Sequence, residues 1–260
     1  MRLLIAVTAA CLAPAATCAL GADETTLGGG LHYSTGDYGA GSDTEITSLA
    51  FTAQRETGPW RFKLTVPYLE VTGPGSVLPG VGNVNNTNPR RRGSGGGTAR
   101  GTATGLGDIV GAATYAIYSG GGSGLDGTAR VKLPTADADQ GLGTGETDFG
   151  FQLDAYTTFD RLTPFLGIGY TFFGDSSFVR LDDAMNYSIG ASYRLDARDS
   201  AGLSLDGRER ISPASAEQRE LIGFWTRRLT GPWRAQLYFL KGLADGSPDW
   251  GMGATAFYAF

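Results

Sequence analysis

The chain has 260 residues, a formal net charge of −5 and a pI near 4.9, a balance that argues against nucleic acid as a partner. It holds 41 glycines, 13 phenylalanines, 11 tyrosines and 4 tryptophans, which suits an all-β chain of short staves and turns. A soluble β-sandwich shares part of that composition, so periodicity decides the class.

In chain order, Arg2 is followed by an apolar run from 3 to about 16 and then by small residues through Ala22. This is the pattern of a secretory signal peptide, 1–22, cleaved near 20–23. Cys11 and Cys18 both fall inside it, so the mature chain is expected to have neither a disulfide nor a thiolate metal site. No later segment reaches the roughly eighteen apolar residues of a membrane helix.

From residue 23 onward, alternating segments predict twelve strands near 26–36, 44–55, 60–71, 107–118, 125–134, 147–157, 163–173, 185–195, 200–210, 219–229, 233–242 and 250–260. The third is the clearest. Trp60, Phe62, Leu64, Val66 and Tyr68 make an apolar face bracketed by aromatics, opposite Arg61, Lys63 and Thr65. Such bracketing is what interfacial girdles look like in sequence. The face of 220–228 that looks outward is left open.

In the last strand Trp250, Met252, Ala254, Ala256, Tyr258 and Phe260 share one face. In water that edge would invite aggregation, whereas in a closed membrane barrel it is a wall stave. It resembles the terminal strand by which outer-membrane barrels are recognised by the barrel-assembly machinery. Connections after even-numbered strands are short and those after odd-numbered strands mostly longer, the longest being 72–106. That asymmetry predicts an antiparallel up-and-down transmembrane β-barrel of even strand number with both termini periplasmic. The pentapeptide Thr-Gly-Pro-Trp-Arg occurs at 57–61 and again at 230–234, each time as a turn, a girdle Trp and an inward Arg.

Several stretches look familiar once the strands are placed: His32-Tyr33-Ser34-Thr35-Gly36-Asp37-Tyr38-Gly39, 63–68, Gly105-Leu106-Gly107-Asp108, 132–135 and 143–148. They resemble the outer-membrane barrel family named for the MetA pathway of phenol degradation, often called transporters. The resemblance implies passage of a small solute, for which an aromatic compound is one candidate, and carries no set of functional residues.

By alternation, Arg61, Lys63, Arg130, Lys132, Arg194, Arg208, Arg210 and Arg234 point into the lumen, with Asp126, Asp148, Gln152, Asp154 and Asp206. Two readings stand: a ladder of ion pairs that stiffens the barrel, or a cationic path that favours anions. The 72–106 connection, with Arg90, Arg91 and Arg92, either folds inward as a constriction or waves outside and meets lipopolysaccharide phosphates. Its Gly and Pro content argues against regular structure. His32 and Ser34 lie two residues apart on one strand face, the spacing of an outer-membrane hydrolase pair. Leu31 and Tyr33 make the better lipid face, however, and this turns the pair into the lumen with no acid partner in view. No cofactor or metal is expected, since Asp137, Asp139, Asp182 and Asp183 lack calcium-loop spacing. The partners expected are membrane lipid, lipopolysaccharide and a small solute. An export pore or surface scaffold is the competing role.

Overall fold

The computed structural model describes residues 23–93 and 99–260. The signal peptide expected at 1–22 lies outside the described residues. The strands are β1 (Glu24–Gly36), β2 (Thr44–Thr57), β3 (Trp60–Gly73), β4 (Val77–Leu78), β5 (Gly82–Asn83), β6 (Gly101–Leu106), β7 (Ile109–Gly120), β8 (Ser123–Leu133), β9 (Asp148–Thr157), β10 (Leu162–Phe172), β11 (Ala184–Arg194), β12 (Asp199–Arg208), β13 (Gln218–Arg228), β14 (Trp233–Gly242) and β15 (Trp250–Ala259). Each wall strand pairs antiparallel with the next, and β1 closes on β15 with Thr35 opposite Trp250 and Thr26 opposite Ala259. The result is a closed 12-strand barrel, as the alternation requires.

Period-two alternation does the sorting. Leu31 is 58% exposed, Phe151 58% and Leu203 53%, while Lys132 and Asp148 inside are each 3%. Water would reverse that order, so the outer surface is built for lipid. Aromatics ring both ends of the apolar belt. At the short-turn end Trp60 meets Tyr115 at 4.8 Å between centroids, and Trp233 meets Tyr258 at 5.0 Å. At the loop end Tyr33 meets Trp250 at 5.4 Å and Tyr170 meets Phe172 at 4.9 Å. The repeated Gly-Pro turns place a glycine where the backbone needs a left-handed conformation, φ 54° at Gly58 and 63° at Gly231.

Three expectations change. The wall strand predicted at 107–118 starts at Gly101. Its first part, β6, pairs with residues 68–73 of β3, and β7 pairs with residues 60–65. The reason is that β3 runs past the apolar belt, and its outward residues there, Glu70 and Thr72, need a partner that Thr102 and Thr104 supply. The 72–106 connection also has regular structure, because β4 and β5 form a small hairpin within it. Arg210, taken as a strand residue, lies beyond the end of β12 and is exposed.

Candidate functional site

The barrel interior has two unlike walls. On one side, β3, β8 and β9 carry a charged ladder, joined by Glu56 of β2 and by Asp108 just before β7. Near the loop end, Lys132 Nζ lies 2.8 Å from an Asp148 oxygen and 3.3 Å from Asp108, and it donates to Thr144 Oγ1 at 2.9 Å. Asp148 also accepts from the Gly174 amide. A buried ammonium with three such partners is a fixed brace and has no donor left for a passing solute. Further down, Arg130 donates to Gln152 at 3.3 Å and Gln152 to Asp154 at 2.6 Å. Asp126 sits across from Asp154, and Arg61 pairs with Glu56 at 2.9 Å. Lys63 Nζ is buried and has no hydrogen-bond partner among the described residues.

On the other side, β10, β13 and β14 turn Phe165, Ile222, Phe224, Tyr238 and Leu240 inward as a packed apolar cluster. This settles the open face of β13: Gln218, Glu220, Ile222, Phe224 and Thr226 look inward, and Leu221 looks outward. Arg234 lies 4.9 Å over the Phe257 ring. Arg194 is at the exposed short-turn end, donating to the Asp160 carbonyl at 2.8 Å. Asp206 and Arg208 are buried near the loop end.

Sequence reasoning missed three inward carboxylates. Glu220 was hidden because β13 is apolar on both faces. Asp108 sits in the break between β6 and β7, and Glu56 lies at a strand end against Arg61. With these included, the cationic excess expected of the lumen is gone, because acidic groups match the basic ones along the wall.

The segment 74–92 crosses the barrel mouth. Val77, Leu78, Val81 and Val84 are almost wholly buried, packed with Leu142, Val179, Leu181 and Ile211 of neighbouring loops. Each such side chain removed from water contributes about 1.5–3 kcal/mol, which explains why the segment docks and does not wave outside. The apolar residues spaced through its Gly, Pro and Asn composition were the available signal. The arginine triplet divides its work. Arg92 is buried and its guanidinium donates to the carbonyls of Pro74, Val77, Gln140 and Gly141. Burial lowers its pKa to about 10, which still leaves it charged at neutral pH. It therefore braces the loop and does not constrict a path. Arg90 is exposed and pairs with Asp139 at 2.9 Å, which holds that carboxyl below its usual range. Arg91 bonds to the Asn88 carbonyl.

Beneath the segment lies a cavity of about 140 Å³. Leu78, Pro79 and Val81 roof it, and Ile46, Leu69, Leu240, Arg130, Glu220 and His32 are among its walls. His32 and Ser34 do not act together: His32 Nδ1 is 3.2 Å from the Tyr238 hydroxyl and Ser34 Oγ is 3.1 Å from the Tyr38 hydroxyl. Each polar atom finds a tyrosine, that of His32 on nearby β14 and that of Ser34 in the loop that follows β1, as a satisfied lining pair does. Burial pushes the Tyr38 phenol up, so it stays a neutral partner for Ser34.

No protein-family profile matches the chain, and no curated protein matches it. Solved structures do. An outer membrane channel from Pseudomonas putida F1 superposes with a TM-score of 0.70 at 16% identity, over 95% of this chain and 99% of that one. The NanC porin gives 0.56 at 8% identity, over 90% and 98%. The beta domain of the Bordetella autotransporter BrkA gives 0.54 at 16%, over 92% and 100%. The fold is that of an outer-membrane β-barrel. At these identities the likeness speaks to architecture alone.

Proposed function

We propose that this protein is an outer-membrane channel of a Gram-negative bacterium through which a small solute passes passively. The observation that carries this reading is the cavity itself, enclosed by a barrel with a lipid-type exterior and walled by both charged and apolar side chains. The mechanism is passage along the charged ladder, with the apolar wall opposite it and the 74–92 segment setting the width at the mouth. No covalent step is involved, and the engagement of His32 and Ser34 with separate tyrosines supports that. In this reading both termini are periplasmic and the 72–106 connection is extracellular, near lipopolysaccharide. The final strand, ending at Phe260, serves recognition by the barrel-assembly machinery. The resemblance to the MetA-pathway family points to a solute that is aromatic.

The decisive measurement is conductance of the refolded mature chain in planar bilayers, paired with solute-driven swelling of liposomes. Discrete steps smaller than those of sixteen-strand porins are expected. Folded protein that stays silent, both intact and with residues 77–84 replaced by a Gly-Ser linker of equal length, would sink the channel. The closed mouth favours one second reading, a surface scaffold or export pore serving a partner protein. It predicts loss of function on altering loops such as 135–146 or 243–249 while Arg130→Gln is silent.

A further inference from the structure

The segment across the mouth is fastened at two ends by different means. Its root is locked into the loop cluster. Arg92 takes four carbonyls there, Asn86 Nδ2 donates to the Gly75 carbonyl at 3.0 Å, and Asn88 Nδ2 donates to Asp139 at 3.1 Å. Its tip reaches the opposite wall, for the root springs from β3 and β6 and the tip meets β12 and β13 on the far side of the ring. The chain reverses there through Gly80 and Gly82, with φ of 74° and 96°. Asn83 of the tip donates to the Gly39 and Ala214 carbonyls of neighbouring loops at 3.1 and 3.2 Å, and wall side chains hold the tip through the Gly80 and Val81 carbonyls. Arg208 Nη2 donates to Val81 O at 2.6 Å and Nη1 to Gly80 O at 3.4 Å, while Gln218 Nε2 reaches Val81 O at 3.5 Å. Arg208 and Gln218 are themselves cross-strand partners.

We propose that Arg208 and Gln218 are the latch of a gate, with the Val81 carbonyl as its catch. When the latch is made, the tip closes the mouth over the cavity. When it is broken, the tip slides aside on a root that Arg92 keeps in place. The division of forces supports this. The apolar contacts of Leu78 and Val81 with Val179, Leu181 and Ile211 are non-directional and tolerate sliding. The bonds from a charged guanidinium are directional and fix the position of the tip. Arg208 and Gln218 are positioning residues in this scheme and act on passage through the tip. The inference rests on the channel reading.

The test uses the full barrel reconstituted in planar bilayers, with folding checked by heat-dependent gel migration. Arg208→Met keeps an unbranched apolar stem and removes the donors. It is expected to raise open probability on the order of tenfold, with a step size equal to that of the 77–84 replacement. Arg208→Lys should fall between Arg208→Met and the unaltered chain, and Gln218→Leu should raise open probability less. If folded Arg208→Met gates like the unaltered protein while the 77–84 replacement opens, the latch is wrong and the channel stands. If the replacement is silent too, both fall. Should Arg208→Met not fold, thiol labelling of Leu78→Cys reads the same event in the Gln218→Leu background. Faster labelling there supports the latch, and an unchanged rate with unchanged gating overturns it.

Discussion

Lys132 shows what a charge inside this barrel is for. Its ammonium is 3% exposed and has Asp148, Asp108 and Thr144 around it, so the desolvation it suffers is answered by fixed partners. Removing it leaves two carboxylates facing each other without a counter-charge. Lys132→Met is therefore expected to destabilise the barrel by about 3–5 kcal/mol, as breaking one side of a buried pair does. Urea unfolding in a fixed detergent measures this. A loss within the error of the measurement would mean that solvent, and not Lys132, carries the two carboxylates. Arg194 gives the contrast. It is exposed at the short-turn end with one carbonyl partner, so Arg194→Gln should change stability by less than about 1 kcal/mol in the same assay.

At the scale of the strand, legibility followed from how different the two faces are. β3 has Trp60, Phe62 and Leu64 against Arg61 and Lys63, so lipid and lumen could be told apart by eye and its register followed. β13 has Leu221 and Trp225 on one face and Ile222 and Phe224 on the other, because this stretch of lumen is packed with Phe165, Tyr238 and Leu240 and favours apolar residues as lipid does. Alternation cannot assign such a strand, and with it went Glu220. β6 was missed for another reason: its Gly, Thr and Ala residues lie beyond the apolar belt, where lipid no longer imposes a pattern. The closing contacts of 74–92 were out of reach because they run through backbone carbonyls, which every residue carries. The packed face of β13 has a measurable consequence. Ile222 is 1% exposed among protein neighbours, so Ile222→Ala should cost about 2–5 kcal/mol by leaving a cavity. Leu221 is 36% exposed and faces lipid, which refills the space, so Leu221→Ala should cost under about 1 kcal/mol. A larger cost for Leu221→Ala than for Ile222→Ala in paired unfolding curves would mean that the β13 faces are reversed.

For the whole molecule, the ordering of charge decides what the barrel selects. A lumen read only from alternation is basic and should pass anions. The folded lumen differs in two ways. Its most buried cation, Lys132, is held by two carboxylates, and Glu220, Asp108 and Glu56 join the acidic side of the ledger. Selectivity arises from charge that the permeating ion can feel, and a paired, buried charge projects little field beyond its partner. The expected reversal potential in a salt gradient is accordingly close to that of a weakly selective pore. The charges that line the cavity without a close ion pair should tune it. Arg130 lines the cavity and bonds to the neutral Gln152, so it faces the path with part of its field unspent. Arg130→Gln should shift permeability toward cations by roughly two- to fivefold at low salt, with the shift shrinking as ionic strength shortens the Debye length. Lys132→Met should shift the ratio toward cations in whatever fraction still folds, because it uncovers the charge of Asp108 and Asp148. A strong anion preference in the unaltered protein, abolished by Lys132→Met, would show that the brace opens in the working channel and that its ammonium, not the balance of the wall, meets the solute.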